Sequence, residues 1–241
     1  MFLNFDLGFA FCSLHFAFVC NLAVYFMTKK EELDEIAEEI RQCRRCPLGQ
    51  KATQAVPGEG SSDAQVMFIG EAPGFWEDQK GIPFCGAAGK LLDKLLAQAG
   101  LKREEVFIAN ILKHRPPQNR DPQPQEIEAC QFFLDHQIEV INPQMVVSLG
   151  RFSLGKFFPN ASITQVHGRP RLIDFGGKEL VLVPMYHPAA ALRNGKIMRE
   201  EEEDFRRLGE FLKKMNGEKE SLGRDQATVK QEGKEEQLRL V

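Results

Sequence analysis

The stretch AQVMFIGEAPG, residues 64–74, passes from a run of apolar residues into a turn marked by Pro73 and Gly74. A short apolar run that ends at such turn residues is typical of a buried β-strand. In an α/β sheet, the turn that follows a buried strand is a usual place for a ligand site. The stretch therefore predicts a strand that ends at a functional edge of a sheet.

Three other apolar stretches have the length and punctuation of strands, namely EVFIANIL, PQMVVSLG and KELVLVPMYHP. Segments with helical periodicity separate the strands or flank them, including residues 29–42, GKLLDKLLAQAGL, PQEIEACQFFLDHQIEVI and REEEEDFRRLGEFLKKM. Strands that alternate with helices favour a mostly parallel sheet covered on both faces. We therefore predict an α/β fold, a three-layer α/β/α sandwich around a mostly parallel four-stranded central sheet.

The composition bounds the function. With 241 residues and 43% hydrophobic content, the chain suits one globular domain, predicted at residues 27–215. The net charge of -3 means that any nucleic-acid site must be a local basic surface. Six irregularly spaced Cys do not resemble a secreted disulfide framework and favour a reducing, cytoplasmic location.

The two ends differ from the middle. Residues 1–26 are strongly apolar, but Asp6 interrupts the run and no basic residue precedes it, so a mis-assigned start is favoured over a signal peptide. A genuine membrane anchor is the alternative, although no membrane association is expected. Residues 216–241 lack an apolar face and are predicted to be a disordered charged tail.

Two features suggest sites of chemistry. Cys43 and Cys46 form a C-x-x-C pair directly after the first predicted helix, a spacing that suits zinc, redox and cluster sites alike. Three loops, GEAPGFWED, NILKHRPP and HPAAALRN, lie at the ends of predicted strands. Because the carboxyl ends of parallel strands meet at one edge, these loops are expected to face a common crevice.

Taken in order behind CRRC, the motifs GEAPG, GIPFCGAAGKLLD, NILKHRPPQNRDP, EAC and HPAAALRN resemble the family 4 uracil-DNA glycosylases, the iron-sulfur-containing branch of that superfamily. The resemblance covers about residues 29–214. It implies a monomeric DNA glycosylase that hydrolyses the N-glycosidic bond of deoxyuridine in single- or double-stranded DNA and leaves an abasic site, in base excision repair.

The residues agree with that chemistry, because base removal requires an extruded base, hydrogen bonds to its edge, a stacking surface and stabilisation of the departing anion. The amide of Asn110 suits the O4 and N3 edge of uracil, or it simply satisfies backbone groups at a strand end. Phe84 is the candidate stacking ring, or a loop-packing residue. The resemblance makes His187 the donor to uracil O2. It assigns further pocket roles to Gly70, Glu71 and Ala72.

Water activation is predicted to be indirect. Some relatives place a water-activating Asp two positions after the first motif Gly, where this chain has Ala72. Direct activation by a carboxylate at that position is therefore excluded. Glu77 is the candidate for positioning water or the transition state, with a solvated loop acid as the alternative.

The DNA-binding residues are predicted in two loops. In HPAAALRN, Leu192 and Arg193 are expected to enter the vacated position of the duplex, while Asn194 holds the loop or a phosphate. The alternative for this segment is a turn with an exposed Arg. In KHRPPQNR, Arg115 contributes to a local basic surface.

The resemblance also implies the metal ligands. Family 4 places its other two cluster cysteines at the positions occupied here by His114 and Cys130, so one thiol is replaced by an imidazole. The predicted set is Cys43, Cys46, His114 and Cys130 around a 4Fe-4S cluster, because His replaces Cys on iron in some clusters. A Cys3His zinc site, an incomplete three-Cys site, and completion by Cys85 remain alternatives.

Two rival functions remain. A covalent uracil-trapping relative needs a nucleophilic His in a basic insertion, which this sequence lacks, and His167 is the local candidate. A non-catalytic DNA-binding module with a metal site is the second rival, and the presence of Asn110, Phe84 and His187 disfavours it.

Overall fold

The structure is a computed structural model that describes residues 27–238, with side chains through Met215. The predicted apolar leader at residues 1–26 lies outside the described residues. The helices of the described part are α1 Lys29–Gln42, α2 Leu48–Lys51, α3 Phe75–Lys80, α4 Ala87–Gln98, α5 Pro124–Ile141, α6 Arg151–Phe157, α7 Ile163–Val166, α8 Pro188–Ala191 and α9 Gly195–Leu238, with 3-10 turns at Arg103–Glu105 and Pro117–Asn119. The strands are β1 Glu59–Gly60, β2 Val66–Gly70, β3 Phe107–Asn110, β4 Met145–Leu149, β5 Arg171–Phe175 and β6 Lys178–Met185.

The strands of the described chain form one sheet of six strands in the order β1-β3-β2-β4-β6-β5. The four strands predicted from the sequence are the parallel centre, β3-β2-β4-β6, and the α/β class is confirmed. The predicted count of four was too low, because β1 and β5 add antiparallel edges. β1 has two residues and β5 is largely exposed, so neither carries the buried apolar run that marks a strand in a sequence.

Side chains of the central strands alternate between two cores. In β2, Met67 and Ile69 pack on the face covered by α1 and α5, whereas Val66 and Phe68 pack on the face covered by α4 and α9. Successive residues of a strand point to opposite faces, and a parallel sheet is normally covered on both. The three-layer arrangement follows from this double burial.

The first helix determines where the C-x-x-C pair lies. Thr28 caps α1 in a capping box with Glu31, and Leu33, Ile36 and Ile40 are buried against the sheet and α5. Burying side chains of this size contributes about 1.5–3 kcal/mol each. The helix ends at Gln42 as predicted, so its packing brings Cys43 to α5.

The last helix extends past the end of the predicted domain at residue 215, and its backbone is helical through Leu238. The disordered tail at residues 216–241 stays a prediction. Glu, Lys, Gln and Arg are good helix formers and residues 216–238 contain no Pro, so local propensity favours continuation even without an apolar face. No helix within residues 27–238 is both long enough and apolar enough to span a membrane.

Candidate active site

A cavity of about 550 Å³ opens where the four parallel strands end. Its walls come from the loops after β2, β3, β4 and β6, together with the start of α4. The residues that line it are Glu71, Ala72, Pro73, Gly74, Glu77, Phe84, Ala88, Asn110, Pro116, Asn119, Arg120, Asp121, Arg151, His187, Ala189, Ala190 and Arg193. Most of the predicted pocket residues therefore converge on one cavity at the edge where ligands of open α/β sheets bind.

Asn110 ends β3 at the inner wall of this cavity. Its side chain is almost fully buried, and its Oδ1 has no hydrogen-bond partner. A Cβ on Gly70 would stand 2.3 Å from that oxygen, so the neighbouring strand can approach only because residue 70 is glycine. An unpaired buried carbonyl costs about 1–3 kcal/mol, and such a group in a cavity is available to a ligand.

Phe84 is held in an uncommon conformation. Its φ of 49° is in the left-handed region, and Arg103 donates to the carbonyl of the preceding residue, Pro83, at 2.6 Å. α4 lies so close that a Cβ on Gly89 would stand 1.6 Å from the Phe84 carbonyl oxygen. The ring stacks near that of His187, with centroids 5.5 Å apart and planes 25° apart. A left-handed non-glycine residue costs about 1–3 kcal/mol, and this strain is stored at the cavity wall.

His187 follows β6 and caps α8. Its Nδ1 accepts the backbone N–H of Ala189 at 3.1 Å, so the neutral ring carries its proton on Nε2. Burial lowers the pKa of His187 to about 4, although the carboxylate of Glu77 opposes the shift. At neutral pH the residue is therefore a neutral imidazole that offers one N–H donor.

Glu77 connects two loops of the site. Its Oε1 accepts the backbone N–H groups of Cys85 and Gly86, both at 2.9 Å. Gly86 is the N-cap of α4, so the carboxylate lies where a helix favours negative charge. The structure places Glu77 in the cavity lining and ties it to the loop that carries Phe84.

Charged residues that the sequence reasoning missed line the outer part of the cavity. Arg151 begins α6 directly after β4 and forms an ion pair with Asp121. The pKa of Glu71 is raised, mainly by burial and then by the charge of Asp121, while the charge of Arg151 opposes the shift. Arg120 holds buried Glu126 through two hydrogen bonds, which anchors the segment that presents Asp121. The strand-end rule that identified the other loops applies equally to the end of β4 and was the signal for Arg151.

Of the predicted DNA-contacting residues, Arg193 lines the cavity and the others lie outside its lining. Leu192, beside Arg193, is 49% exposed. Asn194 accepts the backbone N–H groups of Lys196 and Ile197, which caps the start of α9. Arg115 lies outside the cavity lining, with its guanidinium carbon 5.2 Å from the ring centre of Phe75.

The four predicted metal ligands occupy one neighbourhood. Cys130 on α5 is buried in a cluster that Cys46 packs against, and a Cβ on Gly49 would lie 2.5 Å from the Cys43 carbonyl oxygen and 3.4 Å from the His114 ring. Burial raises the pKa of the Cys130 thiol to about 11. Thiols and an imidazole are a chemically suitable donor set for iron or zinc.

The side chains of this neighbourhood do not form a closed ligand set. Among residues 27–238, no three His, Cys, Asp or Glu side chains are arranged to hold one metal ion. Cys85, the alternative fourth ligand, instead lies beside Glu77 and Lys80 in the Phe84 loop, and burial raises the pKa of its thiol.

His167, the candidate for a covalent trap, does not line the cavity. Its Nδ1 is 2.6 Å from buried Asp204, and its ring packs against Tyr186. This pairing places it in the contact between β6 and α9. The residue that the covalent-trap alternative would use as its nucleophile therefore lies outside the cavity lining.

Comparison with known proteins agrees with the geometry. A model of the uracil DNA glycosylase superfamily matches residues 57–213. The chain is 47% identical over 187 residues to a type-4 uracil-DNA glycosylase of Sulfurisphaera tokodaii, covering 75% of this chain and 85% of the relative. It is 46% identical over 190 residues to that of Archaeoglobus fulgidus, covering 76% and 95%, and 48% identical over 188 residues to that of Saccharolobus solfataricus, covering 76% and 87%. The chain therefore belongs to the uracil DNA glycosylase superfamily, in its type-4 branch.

Proposed function

We propose that this protein releases uracil from DNA by hydrolysing the N-glycosidic bond of deoxyuridine, as the first step of base excision repair. The observation that carries the proposal is the unpaired amide oxygen of Asn110, buried in a cavity beside the rings of Phe84 and His187. An amide that both donates and accepts, next to an aromatic wall, suits the edge and face of a pyrimidine.

Uracil is recognised by its edge. The Asn110 Oδ1 accepts from uracil N3–H, while its Nδ2 donates to O4. The amino group of cytosine would instead meet the amide donor, so cytosine leaves two donors facing each other. Phe84 stacks on the face of the base. Gly70 lets Asn110 and Phe84 lie close to the end of β2, and Ala72 contributes a small side chain to the cavity lining.

His187 stabilises the leaving group. As the C1′–N1 bond breaks, the electron pair moves onto the base, and the N–H of the His187 Nε2 donates to the O2 that gains charge. A neutral imidazole suits this role because its proton is fixed on Nε2 by the hydrogen bond at Nδ1. Water then adds its oxygen to C1′, and its proton balances the charge of the released base.

Acidic side chains support the cationic sugar. Glu71, Glu77 and Asp121 line the same cavity, and their negative field favours positive charge at C1′. Glu77 acts as a positioning residue, because its carboxylate is occupied by the backbone of the Phe84 loop. Electrostatic support thus replaces a strong base at the position of Ala72.

DNA is held at the mouth of the cavity. Leu192 enters the position that the extruded nucleotide leaves, with Arg193 beside it, and Arg115 lies on the basic surface near the cavity. Asn194 holds this loop by capping α9. The protein is proposed to act as a monomer. A cytoplasmic location is proposed because none of the described cysteines Cys43, Cys46, Cys85 and Cys130 forms a disulfide.

The test is direct. Purified protein is incubated with a labelled oligonucleotide containing one uracil, abasic sites are cleaved with alkali, and the products are separated. Strand cleavage is expected for uracil and not for cytosine or thymine at the same position, and Asn110→Ala is expected to lack it. An oligonucleotide that stays intact with the wild-type protein would reject the proposal.

We also propose that Cys43, Cys46, His114 and Cys130 hold a 4Fe-4S cluster, with zinc as the alternative metal. Donor chemistry and the shared neighbourhood support this set. The cluster would supply no chemistry to base release and would tie the end of α1 to α5 and to the loop after β3. Its loss is expected to lower stability before activity.

Protein purified without oxygen distinguishes the two metals. Visible absorption with equal iron and sulfide supports the cluster, and stoichiometric zinc without colour supports the alternative. His114→Ala should release the metal if the imidazole is a ligand, whereas His136→Ala is a matched control on the surface of α5. A metal-free protein would reject both assignments.

A further inference from the structure

Phe75 and Trp76 are adjacent aromatic residues that are both exposed, at 49% and 56%. They begin α3, and their rings contact edge to face, with centroids 5.2 Å apart. Gly74 before them and Glu77 after them both line the cavity. The two rings therefore extend directly from the cavity wall onto the surface.

Cations flank both rings. The Arg115 guanidinium carbon lies 5.2 Å from the centre of the Phe75 ring, and the Lys80 Nζ lies 6.0 Å from the centre of the Trp76 ring. Arg115 also donates to Asn119 at 2.7 Å, and Asn119 lines the cavity. We name Phe75, Trp76, Lys80 and Arg115 the aromatic rim.

The rim also reaches the part of the cavity wall that α4 forms. The Trp76 Cδ1 would lie 3.5 Å from a Cβ on Gly86, at the start of α4. α4 in turn contributes Ala88 to the cavity. The base that enters the cavity and a base next to it along the strand would therefore meet one connected surface.

This chemistry matches unpaired nucleic acid. Proteins that bind single strands combine cations for the phosphates with exposed aromatic rings on which bases stack. In a duplex the base faces are already covered by their neighbours, so an exposed ring finds a partner only where the strand is unpaired. Phe75 and Trp76 are adjacent, exposed and flanked by cations, which is the combination that such proteins use.

We propose that the aromatic rim stacks on unpaired bases beside the extruded nucleotide and makes single-stranded DNA the preferred substrate. The statement deepens the proposed function, because the strand on the rim is the one whose uracil enters the cavity. Stacking itself does not require uracil, so the rim also binds uracil-free single strands.

Trp76 is the single Trp of the chain, so fluorescence excited selectively at tryptophan reports on the rim alone. The wild-type protein is titrated with a uracil-free single-stranded oligonucleotide and with the matching duplex. Strong quenching by the single strand and weak quenching by the duplex is expected. Quenching by neither, or equally by both, would overturn the proposal.

Substitutions test the energetic role. Phe75→Ala and Trp76→Ala are each expected to weaken single-strand binding about tenfold, measured by anisotropy of a labelled oligonucleotide. Trp76→Phe should retain most of the affinity, because a ring remains. Phe132→Ala is the matched control, since Phe132 is 50% exposed, lies 5.0 Å from the Arg45 guanidinium carbon, and does not line the cavity.

Excision kinetics complete the test. The Trp76→Ala variant should lose at least fivefold more excision on single strands than on duplexes, at equal thermal stability. Equal losses on both substrates would contradict a single-strand role, and so would a Trp76-dependent self-association in sedimentation. If the wild type excises no uracil yet shows the quenching, the proposed activity and the substrate preference fail, whereas single-strand binding by the rim is supported.

Discussion

Asn110 is a polar group kept without a partner in the folded protein. Its buried Oδ1 is unsatisfied, and this position is close to Gly70 and the Phe84 ring. Selection for stability alone would favour a hydrogen-bond partner for that oxygen or an apolar residue at this position, because burying the oxygen without a partner costs free energy. Such a local conflict with stability is expected at a functional site.

Replacing Asn110 with Leu therefore separates stability from activity. Leu has a similar shape and removes the unpaired carbonyl, so the free energy of unfolding is expected to stay equal or to rise by about 1 kcal/mol. Uracil excision should fall below detection, because the edge of the base loses its partner. Denaturant unfolding and the oligonucleotide assay check both parts, and a strongly destabilised variant would contradict the first.

His187 gives a second prediction at the scale of one residue. Since burial lowers its pKa to about 4, the ring is neutral above about pH 5. The single-turnover rate is expected to be independent of His187 titration from pH 6 to 8 and to fall below about pH 5, when a proton on Nδ1 would oppose the Ala189 N–H. His187→Ala should lower the rate about 10²–10³-fold. The assignment of a neutral His187 would be contradicted if the wild-type rate depended on a group with a pKa near 6.5 and this pH dependence disappeared in His187→Ala.

At the scale of elements, the site depends on how α3 and α4 are joined. Glu77 lies on α3, while the two N–H groups that it accepts belong to the loop before α4, next to Phe84. Phe84 itself is strained, so it needs such support to keep its φ of 49°. The carboxylate is therefore a structural link between the two helices as well as a cavity residue.

Glu77→Gln and Glu77→Ala distinguish positioning from base catalysis. The amide oxygen of Gln can still accept both N–H groups, so most of the rate is expected to remain, within about tenfold. Ala leaves them unpaired, which should lower the melting temperature, cost about 1–2 kcal/mol of stability and raise KM more than it lowers kcat. Equal loss in both variants would favour a catalytic carboxylate. Glu104→Gln, on the 3-10 turn, is an exposed control.

At the scale of the whole molecule, α9 carries a buried acid that the proposed chemistry does not use. Glu201 is fully buried without a hydrogen-bond partner, and burial, followed by Asp204, raises its pKa to about 8. The folded protein therefore holds this proton between about pH 4.5 and 8, where the unfolded chain has lost it. Stability contributed through this group falls as the pH rises across that window.

The Glu201→Gln variant measures how much the burial of Glu201 changes the pH dependence of stability. At pH 8 the variant is expected to be more stable than the wild type by about 2–4 kcal/mol, and near pH 4.5 the difference should vanish. Unfolding in urea at several pH values gives the slope directly. Glu202→Gln, one position along α9 and exposed, should leave the slope unchanged. A variant that is less stable than wild type at pH 8 would show that Glu201 has a partner.

Much of the architecture followed from the chain itself. The bounds of α1 and α5, the four central strands and the loops at their ends were predictable, because hydrophobic periodicity and turn residues are local signals. Asn110, Phe84 and His187 were predictable as a set because each lies in a loop at one edge of the sheet. Arg151 was missed although it follows β4 at the same edge of the sheet, where the strand-end rule applies. Asp121 was missed because it follows no strand, and its place in the cavity lining depends on packing.

The sequence by itself determined the fold class, the order of the central elements and the chemical types at the cavity, because these depend on burial periodicity and on side-chain chemistry. Only the tertiary structure decided the left-handed Phe84, the unpaired Asn110 oxygen, the Glu77 link to α4 and the exposed aromatic rim. Each of these is a dihedral angle, a contact or an exposure that depends on how the elements pack, and none leaves a pattern in the sequence. Such quantities arise from packing, and packing is a property of the assembled molecule.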